Sequence, residues 1–207
     1  LFFTHDGSET QKWRLKGHGK TKFWEWLSTW AVYIKKPSDL DFSDELYKLP
    51  KLIIDHVRIG EFVDTTNVSG IQGRHKAKKE TVDDRVEECV GIVNKSEESF
   101  LVWCQRNDES EKLKSLIPDA VEVSGSDSIE DKKEKIMSFT EGKSRVLITK
   151  PKIAGFGMNW QHCNNMVFVG LTDSYEQIYQ AIRRCWRFGQ KKNVNVYFIT
   201  HYREINT

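Results

Sequence analysis

The sequence has no run of about 18 apolar residues, the length a membrane-spanning helix needs. Its longest apolar stretches, Ser99 to Cys104 and Met166 to Leu171, suit buried strands of a soluble protein. Cysteine is scarce, and Cys89, Cys104, Cys163 and Cys185 never form a CxxC pair, which excludes a zinc ribbon and a dithiol redox centre. Reduced, buried thiols are expected. His162 beside Cys163 is the one close pair of soft metal ligands, and two ligands do not make a site. A large excess of one charge is also missing, since 32 Lys and Arg face 30 Asp and Glu for a net charge of +2. Affinity for nucleic acid must therefore come from local patches. Neither an initiator Met nor a signal-peptide pattern opens the chain, and Leu1 begins in mid-segment. The expectation is a piece of a longer cytoplasmic protein. What is present can build a core: 207 residues, 38% hydrophobic and 12% aromatic, exclude a disordered tail or a fibre.

Residues Lys20 to Lys36 place Phe23, Trp26, Leu27, Trp30 and Ile34 at helical spacing, an aromatic face on a short helix. Pro37 to Asp39 end it, and Lys36 to Pro50 reads as a connector. Lys51 to Phe62 alternates like a strand, and Asn67 to Gly73 reads as a loop. From Gly73 onward helices and strands alternate. Glu80 to Asn94 carries Val82, Val86, Cys89, Val90 and Val93 on one helical face, and a second helix spans about Asp108 to Ile117. Ser128 with Asp131 is a cap for a third, which Gly142 closes. SFLVWCQ (Ser99–Gln105), AVEVSG (Ala120–Gly125), SRVLITK (Ser144–Lys150), NMVFVGL (Asn165–Leu171) and VNVYFIT (Val194–Thr200) are the strands. Apolar runs without polar alternation mean strands covered on both faces, as in a parallel sheet with helical crossovers. The expectation is an aromatic-rich helical segment and connector over residues 1–60, followed by one doubly wound α/β domain over 61–207.

Three motifs mislead. Gly17-His18-Gly19-Lys20-Thr21 ends like a phosphate-binding loop, but Arg14 stands where GxxxxGK[ST] demands Gly, and no apolar strand leads in. Leu52-Ile53-Ile54-Asp55 resembles a strand presenting a magnesium-binding Asp, yet His56 follows where a second carboxylate belongs. Asp83-Asp84 with Glu87-Glu88 reads as a solvated helix face, not a metal site.

SYEQIYQAIRRCWRFGQ, Ser174 to Gln190, carries more information. Ser174 with Gln177 is a capping box. At about 100° per residue, Ile178, Ala181, Ile182 and Cys185 share one face while Gln180, Arg183, Arg184 and Arg187 share the other. The helix follows a buried strand, and ligands of α/β sheets bind at the carboxyl ends of strands. Upstream, IAGFGMNW (Ile153–Trp160) follows the strand ending at Lys150. There Gly155 and Gly157 allow close backbone approach and Asn159 adds an amide, which suits a phosphate or ribose.

These segments resemble the second RecA-like lobe of superfamily 2 helicases of the Swi/Snf type, a P-loop NTPase-type fold. QAIRRCWRFGQ is similar to the family's last motif, Q-A-x-x-R-x-x-R-x-G-Q, at Gln180, Ala181, Arg184, Arg187, Gly189 and Gln190. IAGFGMN resembles the preceding motif, SFLVWCQ the strand that opens the lobe, and VSGS followed by a helix and VLIT the stretch between. The likeness covers about Glu80 to Thr200, with Lys150-Pro151 in place of the usual Ser-Thr and no Asn-Pro around Asp173. The aromatic-rich N-terminal part looks like the inter-lobe region of the phage and prophage branch. The resemblance implies that Arg184 and Arg187 are catalytic arginines facing the γ-phosphate of ATP, and that Gly155, Gly157, Asn159 and Gln180 contact the nucleotide. It implies that Ser124, Gly125, Ser126 and Lys150 meet the DNA backbone without sequence preference. ATP and Mg²⁺ would be held mainly by a first lobe of the same parent chain, so this piece alone would not hydrolyse ATP. The setting implied is the cytoplasm of a bacterium or phage-infected cell. The basic strip Arg74 to Lys79 reads as a solvated linker, with added DNA affinity as the alternative. The rival reading is a non-catalytic α/β module whose arginine helix binds nucleic acid or an acidic partner.

Overall fold

The computed structural model describes residues 2–5, 13–61, 71–154 and 157–205 in two compact units, Leu1–Tyr47 and Lys48–Thr207. In the first, strands β1 (Phe3–His5) and β2 (Trp13–Leu15) pair antiparallel, and helix α1 covers Lys20–Ser28. Its aromatic face exists, with the Phe23 ring 5.5 Å from Phe2 and 6.0 Å from Trp26. The helix stops eight residues short of the expected Lys36. Ser28 and Thr29 hydroxyls donate back to the Glu25 and Trp26 carbonyls at 2.7 Å, a local alternative to helix propagation. Gly17–Gly19 forms a single tight turn leading into α1.

In the second unit, β3 (Leu52–Ile59), β4 (Phe100–Trp103), β5 (Ala120–Glu122), β6 (Val146–Thr149), β7 (Asn165–Phe168) and β8 (Val194–His201) form one sheet. The order is β3-β8-β7-β4-β6-β5, and every pairing is parallel. The unit starts at Lys48, not at residue 61, because β3 pairs over eight residues with β8, from Leu52 against Val194 to Ile59 against His201. Asp55 thus sits in mid-strand on the sheet edge. Gly60 turns the chain away with φ +80°, where any Cβ would overlap the His201 ring.

Among the described residues, the helices α2 (Ile71–Glu80), α3 (Val82–Asn94), α4 (Asn107–Leu116), α5 (Ile129–Thr140), α6 (Pro151–Ala154), α7 (Tyr175–Ile182) and α8 (Tyr202–Ile205) accompany these strands. Neighbouring strand residues face opposite sides, so two cores form. Leu101, Trp103, Leu147, Met166 and Phe168 pack with Phe139 of α5 and Ala181 and Ile182 of α7. Phe100, Val102, Ile148 and Val167 pack with Val82, Val86, Cys89 and Val93 of α3 and Leu113 of α4. Each such buried aliphatic or Phe side chain contributes roughly 1.5–3 kcal/mol, which is what holds a sheet this short. All four cysteines are free and buried, and burial pushes the Cys89, Cys104 and Cys185 thiols well up. The caps at Ser128 and Ser174 form as expected, each hydroxyl accepting from the backbone N–H three residues on. Helix α2 replaces the expected end of the loop at Gly73 and the linker of Arg74 to Lys79. It buries only Ala77 among its apolar side chains described, which is why no apolar period announced it.

Candidate functional site

Because all strands run in parallel, their carboxyl ends share one edge, and the polar residues singled out by the sequence follow those ends. After β6 and α6 the chain passes Gly157, with φ +81°, then Met158 and the exposed Asn159. Gly155 lies outside the described residues. Helix α7 ends at Ile182, so the arginines do not share one continuous helical face as expected. Arg183 to Gln190 turn irregularly instead, with Gly189 at φ +93°. The turn still gathers Gln180, Arg184 and Arg187. Arg184, only 8% exposed, donates to the Gln180 carbonyl at 2.9 Å, the Gln180 Oε1 at 3.1 Å and the Met158 carbonyl at 3.0 Å. Its burial, then the nearby Arg187 charge, lower its pKa. Arg187 is half-buried and reaches the same Met158 carbonyl only at 3.5 Å. A guanidinium has five N–H donors, so most of those on Arg187 remain to be used. Both line an open cavity of about 350 Å³ with Tyr179, Gln180, Arg183 and Phe188.

Two residues, Gln190 and Trp186, fix this turn. The Gln190 amide donates to the carbonyls of Gln161, Cys163 and Cys185 at 3.0, 3.1 and 3.3 Å, while its oxygen accepts from the N–H groups of Lys191 and Lys192. Trp186 donates to the Pro50 carbonyl at 2.8 Å and carries the Arg183 guanidinium over its ring at 5.3 Å. Arg183 thus lies over Trp186 while lining the same cavity as Gln180 and Arg184.

On the same edge, Ser124, Gly125 and Ser126 follow β5, and Lys150 follows β6. The Ser124 N–H and hydroxyl both donate to Asp127, at 2.9 and 3.1 Å, and Lys135 offsets that carboxylate at 2.8 Å. The Gly125 carbonyl accepts from Lys132 at 2.9 Å, and Gly125 and Ser126 are exposed. Lys150 donates to the Asn107 amide oxygen and lines a cavity of about 590 Å³ with His75, Lys78, Gln105, Arg106 and the carboxylates Asp108 and Glu111, the former paired with Arg106 at 2.7 Å. The carboxylates of α3 are solvent-facing as read, Asp83 pairing with Lys112 and Asp84 with His201 at 3.3 Å. Among the described residues no three His, Cys, Asp or Glu side chains gather as a metal site.

The sequence reading missed a buried ion network beside that cavity. Arg85, fully buried in α3, donates at 2.5 Å to Glu109 Oε1 and to the Val169 carbonyl, and lies 2.9 Å from Glu204. Glu109 Oε2 accepts from the N–H groups of Gln105 and Arg106 at 2.8 and 3.0 Å. A signal was present: Arg85 falls three residues after Val82 and four before Cys89, on the apolar face of its helix.

Residues 81–189 match the family model of the helicase conserved C-terminal domain. The chain belongs to that family. Among curated proteins it is 32% identical over 110 residues to the TATA-binding protein-associated factor mot1 of Schizosaccharomyces pombe, covering 49% of this chain. It is 30% identical over 112 residues, 50% of this chain, to the corresponding factor MOT1 of Saccharomyces cerevisiae. The matched stretch spans only 6% of the length of either relative. The solved C-terminal domain of the DEAD-box protein Dbp5 superposes with a TM-score of 0.53 at 16% identity, over 76% of this chain and 80% of that one. The parallel sheet is thus a RecA-like lobe. The C-terminal part of the Fun30 ATPase domain aligns at 24% identity over 58% of this chain and 41% of that chain, with a TM-score of 0.49. Among the described residues no helix is long and apolar enough to cross a membrane.

Proposed function

We propose that this chain is the second motor lobe of an ATP-dependent DNA helicase or translocase of the Swi/Snf type, and that ATP lies between it and a first lobe of the same polypeptide. The observation that carries the reading is the convergence of Gln180, Arg184 and Arg187 beside the Gly157 to Asn159 loop, with Arg187 holding unspent donors toward an open cavity. Bound ATP with Mg²⁺ supplies the reacting phosphate. The chain has no GxxxxGK[ST] loop and, among the described residues, no cluster of metal ligands. The phosphate cradle and the magnesium ligands therefore belong to the first lobe.

Arg184 is spent on Gln180 and Met158, so its part is to hold the loop and the turn together and to add positive potential. Arg187 is the group that reaches the γ-phosphate, where a well-placed arginine is worth about 10³ to 10⁵ in rate. Gly157, Asn159 and Gln180 complete the nucleotide-facing side, and the sequence motif alone assigns Gly155 to the nucleotide. DNA runs over the strand-end edge at Gly125, Ser126 and Lys150, with Ser124 shaping that turn through Asp127, and contacts to phosphates give no sequence preference. Closure and opening of the cleft would move the lobe along DNA. We place the protein in the phage and prophage branch, and in the cytoplasm of such a host, on the aromatic-rich segment of the N-terminal unit.

The test compares DNA-stimulated ATP hydrolysis by the full-length polypeptide and by this chain. Stimulated turnover by the former and none by the latter is expected. A full-length polypeptide without DNA-stimulated hydrolysis returns the chain to a non-catalytic binding module.

A further inference from the structure

Two segments on the strand-end edge adjoin the groups proposed above: the loop after β4, which lines the same cavity as Lys150, and the segment after β7, which leads into α7 and the arginines. They are far apart in sequence, and helices α2 and α3 tie them together. Lys78 Nζ donates to Gln105 Oε1 at 3.2 Å in the first and to the Leu171 carbonyl at 2.7 Å in the second. Arg85 repeats the link from beneath, joining Glu109 to the Val169 carbonyl, while Glu109 holds the Gln105 and Arg106 N–H groups. Arg85 also fixes α2 itself, donating to the Lys78 carbonyl at 2.6 Å. Gly170 allows the close fit, for a Cβ there would lie 3.0 Å from Arg85 Nη1 and 3.1 Å from Glu109 Oε1. From Leu171 only two residues separate the brace from Ser174, the cap of α7.

We infer that Lys78 is a positioning residue that transmits DNA contact at the Gln105 loop to the segment carrying Gln180, Arg184 and Arg187. The inference rests on the motor-lobe reading. Arg85 and Glu109 are buried and make the fixed base of the brace. Lys78 lines the open cavity, so it is the member that an incoming phosphate can reach. Two of its three N–H donors are spent on Gln105 and Leu171, and a phosphate that takes the third anchors the ammonium and tightens its hold on both segments.

Hydrogen exchange of this chain, with and without a mixed-sequence DNA duplex bearing a single-stranded tail at low salt, tests the link. In the wild type DNA should slow exchange several-fold both at Gln105 to Asp108 and at Leu171 to Arg187. In Lys78→Met only the first segment should gain protection. Gln105→Leu, which keeps the charge and removes one end of the link, should also lose protection of the second. Lys95→Met, the same charge loss at the far end of α3, should behave as wild type. Protection of one segment or neither in the wild type, or of both in Lys78→Met, overturns the role of Lys78. Absence of any protection removes the DNA reading with it, whereas the other results leave that reading intact.

Discussion

Arg184 reaches back to Gln180 twice, donating to its backbone carbonyl and to its side-chain oxygen, while its third contact crosses to Met158. The Arg187 guanidinium, three residues on, reaches the Met158 carbonyl only at 3.5 Å. The two arginines therefore divide into a structural and an available one. In this chain Arg184→Ala should lower unfolding stability by about 1–3 kcal/mol, because buried acceptors lose a charged donor. Arg187→Ala should stay within about 0.5 kcal/mol of wild type. Urea unfolding of both variants checks the division, and equal losses would contradict it.

Arg85→Met is expected to cost far more. It leaves the Glu109 carboxylate, 1% exposed, buried without its cation, and breaking one side of a buried pair typically costs about 3–5 kcal/mol. The same measurement applies, and a loss under about 1 kcal/mol would show that Glu109 is satisfied by its loop contacts alone.

Two glycines should respond in opposite directions. A Cβ at Gly91 in α3 meets nothing within 4 Å, so Gly91→Ala should stabilise by about 0.5–1 kcal/mol through helix propensity and a less flexible unfolded chain. A Cβ at Gly170 meets an arginine that its own partners hold in place, and Gly170→Ala should cost about 1–3 kcal/mol. Thermal unfolding of the pair decides, and a stabilised Gly170→Ala would sink the close-fit argument.

Acid should weaken the lobe partly through Asp119. Its hydrogen bonds to Arg145, strengthened by that charge, hold the carboxyl below its ordinary value against a smaller effect of burial. A lowered folded-state pKa contributes stability above the unfolded value of about 4 and loses it as pH falls through the folded value. Asp119→Asn should therefore be less stable than wild type at neutral pH, and the difference should shrink as pH drops below about 4. An unchanged difference across that range would exclude the ion pair as its source.

The strands, the two N-terminal caps and the parallel architecture were legible because each rests on local pattern: apolar runs, Ser at Ncap, glycine punctuation. The Arg85 brace was not, because its partners Glu109, Val169 and Glu204 come from three distant segments, and only folding brings them to one guanidinium. Helix α2 was hidden for a related reason. Its residues are polar or small, and what holds it in the described contacts is Lys78 and the Lys78 carbonyl rather than an apolar stripe. At the site, gathering Gln180, Arg184 and Arg187 could be read from spacing. The end of α7 at Ile182 could not, because the turn depends on Gln190 reaching the carbonyls of Gln161, Cys163 and Cys185.

Arg187 carries the sharpest test of the proposed chemistry. In the full-length polypeptide, Arg187→Lys would keep the charge but lose the planar fork that grips two phosphate oxygens at once. Because the Arg187 side chain makes one long hydrogen bond among the described residues, the substitution should leave the fold, and ATP and DNA binding, within a few-fold of wild type. Hydrolysis under saturating ATP and DNA should nevertheless fall by at least about 10²-fold, since the contact matters chiefly as charge moves in the transition state. Arg184→Lys should lower hydrolysis with a larger effect on nucleotide affinity, because it loosens the Met158 loop as well. Arg183→Ala should do little, its guanidinium being stacked on Trp186. Steady-state turnover with separate binding measurements distinguishes these outcomes. Near-normal turnover in Arg187→Lys would make this turn a basic surface and hand the chain to the binding-module reading.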